Sequence, residues 1–151
     1  MDTKLLLGQP VSAKLKESLH HNIIQLSKNG ITPGLAAILV GDDPASQVYI
    51  NNKEKAFKQL NCHTRTYNLP NNTNESKIIK LIEELNNNTE YHGILVQLPL
   101  PRHLNIQKIM YSVNPQKDVD GFHPINLGLL LEGYPKFIPC TPNGIIEILK
   151  Y

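Results

Sequence analysis

Two short, mostly apolar runs do most to limit what this chain can fold into. Residues 35–40 read LAAILV and are closed by Gly41, and residues 93–98 read GILVQL and are stopped by Pro99. Strands with apolar side chains on both sides must be covered on both faces, as in parallel sheets that lie between helices. Both runs therefore predict buried strands of an α/β domain.

Helical patterns separate these strands along the chain. Apolar residues recur at helical spacing over residues 11–28, Asp43 and Pro44 are typical of a helix start, and a third helix is expected from residue 73 or 74 to residue 85. Residues 63–69 are expected to form one more strand. Strands that alternate with helices imply right-handed crossovers. The sequence thus predicts three layers, with helices on both faces of a mostly parallel sheet.

The last part of the sequence is expected to be rich in loops until a helix opens near its end. Thr141 and Pro142 fit an N-cap and a first-turn proline, and three apolar residues follow at helical spacing. The sequence ends after roughly two to three turns of this helix, which suggests a truncated chain or a missing second domain. We therefore divide the chain into one domain over residues 1–138 and the start of a connecting helix over residues 139–151.

Composition and charge exclude several classes of protein. Hydrophobic residues make up 40% and charged residues 19% of the chain, as in soluble globular domains. The formal net charge of +2, without a basic run interleaved with aromatics, argues against a nucleic-acid partner. The apolar runs are too short to span a bilayer, and the first residues lack signal-peptide or transit-peptide features. Cys62 and Cys140 make neither a disulfide framework nor a metal site, so we expect a cytoplasmic protein.

A lysine interrupts the apolar face of the helix that Asp43 opens. Projected at about 100° per residue, Lys53 falls on the apolar arc and Lys55 on the polar side. That arc consists of Ala45, Ser46, Tyr49, Ile50, Lys53, Ala56, Phe57 and Leu60. The ordinary interpretation is a lysine whose stem covers apolar surface while its amine reaches water. The functional interpretation is a ligand-binding amine, because the helix starts at the carboxyl edge of a strand, where open α/β sheets bind ligands.

Other polar residues are expected near the same edge. Gln97 interrupts an apolar run at the end of a strand, where the adjacent prolyl loop can satisfy its buried amide. In either case its place at the carboxyl end of the strand lets it meet the Tyr49 and Lys53 face. Asp118 and Asp120 precede a glycine, and one of them is expected in an Asx-turn. They do not begin a calcium loop, because its twelfth position holds a leucine instead of glutamate. No glycine-rich nucleotide loop and no metal-ligand spacing of histidines is present in the sequence.

Several longer segments resemble one known family. In chain order they are LLLGQPVSAKLKESL, TPGLAAILVGDDPASQVYINNKEKAF, GILVQLPLP, PQKDVDGFHPINLGLL and PCTPNGIIEIL. Together they cover nearly the whole chain, and they strongly resemble the N-terminal catalytic domain of the bifunctional methylenetetrahydrofolate dehydrogenase/methenyltetrahydrofolate cyclohydrolase family. The Rossmann-type, NADP-binding second half of that family has no counterpart in this sequence.

The resemblance implies roles for individual residues. Lys53 would be the catalytic residue, with Gln97 as its partner and Tyr49 beside it, and Asp120 would contact the pterin of the folate substrate. The implied substrate contacts are Tyr49, Ile50, Asn51, Asn52, Lys53, Val96, Gln97, Leu98 and Asp120. NADP would be the cofactor, with no residue of this chain binding it, and the full-length protein would be a homodimer.

The implied reaction gives these residue types a chemical reason. Oxidation of 5,10-methylenetetrahydrofolate leaves a methenyl cation, which water converts to 10-formyltetrahydrofolate. Burial and the nearby cation would both lower the pKa of Lys53, so that a neutral amine can relay the proton of water. Asp120 can accept two hydrogen bonds from the pterin. The alternative is a non-catalytic α/β module that binds folate or another small ligand.

Overall fold

The computed structural model describes residues 5–151, and a parallel sheet with helices on both faces organises it. The elements in chain order are α1 (Gly8–Lys28), β1 (Gly34–Val40), α2 (Pro44–Gln59), β2 (His63–Leu69), α3 (Glu75–Asn87), β3 (Gly93–Val96), α4 (Ile106–Ser112), α5 (Pro124–Leu131) and α6 (Cys140–Lys150). The predicted α/β class is confirmed.

The central strand is β1, and both of its neighbours run parallel to it. The strand order is β2-β1-β3, and Ile38 of β1 stands opposite Tyr67 on one side and Val96 on the other. All seven residues of β1 are buried. One side of the sheet packs on Ile78 and Ile82 of α3, together with residues of α4. The opposite side packs on α2, so the sheet lies between two helical layers.

The other face is closed by Ile50 of α2, which packs with Leu35, Ala37 and Leu95 of the sheet. α2 begins where the sequence predicts, because the Asp43 carboxylate accepts a hydrogen bond of 2.8 Å from Ser46 N and Pro44 occupies the first turn. The start of α2 therefore lies at the carboxyl end of β1, which is the edge of the sheet where ligand sites form.

The part of the chain after β3 differs most from the prediction. Residues expected to form loops contain two short helices, α4 and α5. β3 ends at Val96, two residues earlier than predicted, since Pro99 has no N–H to extend the ladder. α6 begins at Cys140 with Pro139 at its N-cap, so the assignment of Thr141 as the N-cap is wrong. Within residues 5–151, no helix has the length and apolar character needed to cross a membrane.

Candidate active site

A pocket of about 290 Å³ opens at the carboxyl edge of the sheet, between α2, the end of β3 and the start of α6. Six of the residues predicted for the site line it: Tyr49, Lys53, Val96, Gln97, Leu98 and Asp120. They come from three segments that are far apart in the sequence. Because parallel strands present their carboxyl ends at one edge, the fold brings these segments together.

Three other residues implied by the resemblance lie outside this pocket. Ile50 is 3% exposed and points into the core below α2. Asn51 lines a separate groove between α2 and β2, and Asn52 is exposed. Successive residues of a helix point about 100° apart. The pocket lies on the Tyr49 and Lys53 side of α2, and none of the three intervening residues lines it.

Lys53 is half-buried, and its amine lies against the ring of Tyr49. The distance from Nζ to the ring centroid is 4.7 Å, which is a cation–π contact one helical turn apart. Burial lowers the pKa of the Lys53 amine, while the charges of Asp120 and Cys140 oppose that shift. Tyr49 itself is 57% exposed, so it forms the rim of the pocket instead of a buried arc position. Lys53 thus interrupts the apolar arc because that arc is also a pocket wall.

Asp120 faces Lys53 across the pocket. Burial raises the pKa of its carboxyl group, and the positive charge of Lys53 works against this increase. The segment before Asp120 runs beside β3, since Ile94 N donates to Lys117 O at 2.8 Å and Ile94 forms a parallel bridge with Asp118. Asp120 therefore reaches the pocket from a segment that lies beside β3. The opposite charges of Lys53 and Asp120 each offset part of the pKa shift that burial causes in the other group.

Gln97 follows the last residue of β3 and reaches the pocket wall. Its Nε2 donates a hydrogen bond of 2.7 Å to Leu98 O, while its backbone N–H donates to Ile38 O at 2.9 Å. The prolyl loop therefore accepts from the amide nitrogen, which is the ordinary interpretation of this glutamine. The side chain also lines the same pocket as Lys53, which agrees with its place at the carboxyl end of the strand.

Sequence reasoning missed five residues that complete the pocket: Phe122, Pro139, Cys140, Thr141 and Pro142. Four of them form the start of α6, and burial raises the pKa of the Cys140 thiol. Local signals mark Thr141 and Pro142 as the start of a helix, but they do not show that this segment lines the same pocket as α2. In the part of the chain that the structure describes, no group of three or more His, Cys, Asp or Glu side chains is arranged to hold a metal ion.

Comparison with known proteins identifies the family. Residues 6–120 match the catalytic domain described as tetrahydrofolate dehydrogenase/cyclohydrolase. The chain belongs to this family. A curated member, the bifunctional protein FolD of Acetivibrio thermocellus, is 48% identical over 150 residues, which are 99% of this chain and 53% of the relative. The predicted family is therefore confirmed, and the chain spans about half the length of the curated relatives it matches.

Solved structures of family members have the same fold. The bifunctional FolD enzyme of Campylobacter jejuni superposes with a TM-score of 0.94 at 46% identity, over 97% of this chain and 52% of that one. The Trypanosoma brucei FolD, which was solved with NADP cofactor and an inhibitor, gives 0.94 at 30% identity, over 99% and 52% of the two chains. The three-layer α/β architecture is thus the family's catalytic domain.

Proposed function

We propose that this chain is the folate-binding catalytic half of an enzyme that oxidises 5,10-methylenetetrahydrofolate with NADP and hydrolyses the methenyl product to 10-formyltetrahydrofolate. One observation carries the proposal: a half-buried amine, Lys53, lies against a tyrosine ring and faces the half-buried carboxylate of Asp120 in a pocket at the ligand-binding edge of the sheet. The proposal includes a role in purine, methionine and histidine biosynthesis, a cytoplasmic location and a homodimer of the full-length protein.

The hydrolytic step uses the amine of Lys53. Water adds to the methenyl carbon, and a neutral amine beside that carbon takes the proton that water loses. The hydroxyl group that results then loses its proton as the C–N5 bond breaks, N5 takes up a proton, and the formyl group stays on N10. Burial already lowers the pKa of Lys53, and the positive charge of the bound methenyl group would lower it further. A residue with an ordinary lysine pKa would be almost fully protonated and unable to accept this proton.

The other pocket residues bind and orient the folate. Asp120 offers two acceptor oxygens to adjacent N–H donors of the pterin. The exposed ring of Tyr49 provides an aromatic surface for stacking at the rim. Gln97 is held by the prolyl loop, so it offers a fixed neutral side chain next to the amine and adds no charge that would change its pKa.

The described residues do not fit the NADP cofactor. Gly41 joins β1 to α2 with φ of 91°, at the place where dinucleotide folds carry their phosphate-binding turn. However, the Asp43 carboxylate already caps this helix, and Asp42 stands next to it. Two carboxylates at the helix N-terminus repel a diphosphate where such a site needs free N–H donors. We therefore propose that NADP, which accepts the hydride, is bound by a second domain outside these 151 residues, with residues 139–151 leading toward it.

We expect the 151-residue chain alone to show no saturable NADP binding and no NADP reduction with 5,10-methylenetetrahydrofolate. Hydride transfer requires the nicotinamide and the methylene carbon to be held nearly in contact, and this chain supplies only the folate side. The measurement is a calorimetric titration with NADP, with a full-length relative such as the Trypanosoma brucei enzyme as the positive control. Micromolar binding of NADP by the chain alone would contradict the proposal that a second domain binds the cofactor.

The pH dependence of hydrolysis should report the lowered pKa of Lys53. Because the neutral amine is the active form, the rate should rise with pH as Lys53 loses its proton. It should level off below the ordinary lysine value of about 10.4, since burial lowers the pKa. The measurement is the loss of methenyltetrahydrofolate absorbance across the pH range, corrected for the uncatalysed rate. A rate that falls as the pH rises, or one that rises only around the ordinary lysine value of about 10.4, would contradict an amine base of lowered pKa.

Turnover also separates the two candidate functions. A non-catalytic module with the same pocket would bind reduced folates but would not hydrolyse the methenyl compound. The test uses a fusion in which this chain replaces the matching half of the Acetivibrio thermocellus relative. Hydrolysis by the fusion supports the enzyme. Tight folate binding without any hydrolysis would favour the non-catalytic module.

A further inference from the structure

Asn126 is a buried polar side chain that lies outside the pocket. It sits on α5 and is 1% exposed. Its Nδ2 donates two hydrogen bonds, to Pro115 O at 2.9 Å and to Asp118 Oδ2 at 2.8 Å. Both partners are acceptors, so the amide nitrogen must face them. The amide oxygen is buried and has no hydrogen-bond partner within residues 5–151.

Both N–H groups of the Asn126 amide therefore have acceptors, whereas its oxygen has no donor among the described residues. A buried acceptor without a partner costs stability. The two N–H groups of this side chain hold the segment from Pro115 to Asp118 in place.

Asp118 connects this asparagine to the rest of the fold. It is 3% exposed, and the oxygen that accepts from Asn126 also accepts from His123 N at 2.8 Å. Its backbone pairs with Ile94 of β3. One carboxylate oxygen thus fixes the start of α5 and the short segment that runs beside β3.

Asp120 follows Asp118 after a single residue. Gly121 N donates to Asp118 O at 3.2 Å, and Gly121 has φ of 68°, so the backbone turns directly after the pocket carboxylate. The hydrogen bonds of Asn126 hold the near end of this turn. Because Asp120 reaches the pocket from such a short turn, a displacement of Asp118 changes the place of the Asp120 carboxylate.

We propose that Asn126 is a positioning residue for the folate site, which holds Asp118 so that the Asp120 carboxylate faces Lys53 and the pterin. This role rests on the proposed function and extends it to a residue that does not line the pocket. An amide is required at this position because it donates to two acceptors at once. Asn126→Asp keeps the shape of the side chain but places a carboxylate against both acceptors.

The test is calorimetric titration of the 151-residue chain with 5-formyltetrahydrofolate, a stable reduced folate, across a range of pH. Asn126→Asp and Asn126→Ala should each weaken binding by about tenfold or more, with values corrected to the folded fraction measured by circular dichroism. Asn105→Ala is the matched control, because Asn105 caps α4 through Lys108 N and does not line the pocket.

The pH profile separates positioning from a loss of stability. The groups that face Asp120 are Lys53 from α2, Cys140 from α6 and its own neighbour Asp118. In the parent chain, folate affinity should fall as the pH drops through the raised pKa of Asp120, because the protonated carboxyl group no longer accepts two hydrogen bonds. In the Asn126 variants we expect the carboxylate to be more exposed to water, so its pKa returns toward the ordinary value of about 3.9. The pH at which half of the affinity is lost should therefore be lower in these variants than in the parent. A variant that is only less stable keeps the parent midpoint.

Rescue gives a second criterion. In Asn126→Asp combined with Asp118→Asn, the amide and the carboxylate exchange places, so one hydrogen bond between them is restored. The double variant should bind 5-formyltetrahydrofolate more tightly than Asn126→Asp alone. If Asn126→Asp does not fold, the test uses the double variant and Asn126→Ala. Parent-like affinity and midpoint in the Asn126 variants would overturn only the role of Asn126. No binding by the parent chain would overturn the proposed function and this role with it.

Discussion

Replacing Lys53 with methionine should lower the rate of methenyltetrahydrofolate hydrolysis by about 10²–10⁴-fold, the range typical of a lost general base. Methionine keeps an unbranched apolar stem of similar length and removes the amine. The pocket wall between Tyr49 and the end of β3 therefore stays filled, while the group that accepts the proton of water is gone. The measurement is steady-state hydrolysis by the fusion with the Acetivibrio thermocellus second half.

Lys55→Met is the matched control for this prediction. Lys55 lies two residues further along α2, is exposed and does not line the pocket. It carries the same charge, so its replacement tests whether a general loss of positive charge affects the rate. We expect the Lys55→Met fusion to hydrolyse at the parent rate. A Lys53→Met fusion that also does so would remove Lys53 from the mechanism.

Replacing Asp120 with asparagine should weaken folate binding by about 1–3 kcal/mol, the cost of losing a charged hydrogen-bonding partner. An amide presents one acceptor and one donor, so it cannot accept from two adjacent pterin N–H groups. Loss of the negative charge also removes the compensation for Lys53, which lowers the pKa of that amine further. Calorimetric titration of the chain with 5-formyltetrahydrofolate measures the effect.

Asp118→Asn is the control, and we expect a smaller change. The Oδ2 atom of Asp118 accepts from His123 N and from Asn126 Nδ2, and the amide oxygen of asparagine can accept both bonds in the same place. The turn that carries Asp120 is then largely preserved. If the two substitutions weakened binding equally, the distinction between a pocket carboxylate and a structural carboxylate would fail.

The sheet and α2 were predictable because their signals are local. The apolar run of β1 required burial on both faces, and Asp43 with Pro44 marked the start of the following helix through contacts within four residues. The bounds of β2 also agree with the predicted residues 63–69.

The helices α4 and α5 were not predicted because long-range contacts stabilise them. Each has eight residues or fewer, which is too short for helical propensity or periodicity to be decisive. α4 is held by Ile109 and Met110 in the core below α3. α5 is held by the contact between Asn126 and Asp118. Neither set of contacts is visible before the chain is folded.

The site was predictable in part for a similar reason. Lys53 stood out because it breaks an apolar arc within one helix, and the carboxyl-edge rule placed Gln97 near it. The roles of Asp120 and Tyr49 came from the family resemblance. Cys140 and its neighbours lie about forty residues beyond the end of β3, and only the folded chain shows that α6 closes the pocket.

The central claim is that Lys53 is a half-buried amine of lowered pKa in the folate pocket, and lysine side-chain NMR tests it most directly. The chain is labelled at its lysine carbons, and the Lys53 signal is assigned by its absence from Lys53→Met. We predict that Lys53 titrates below the ordinary value of about 10.4 in the free chain, and that its signal shifts when 5-formyltetrahydrofolate is added. A Lys53 that titrates at the ordinary value and does not respond to the folate would contradict the claim.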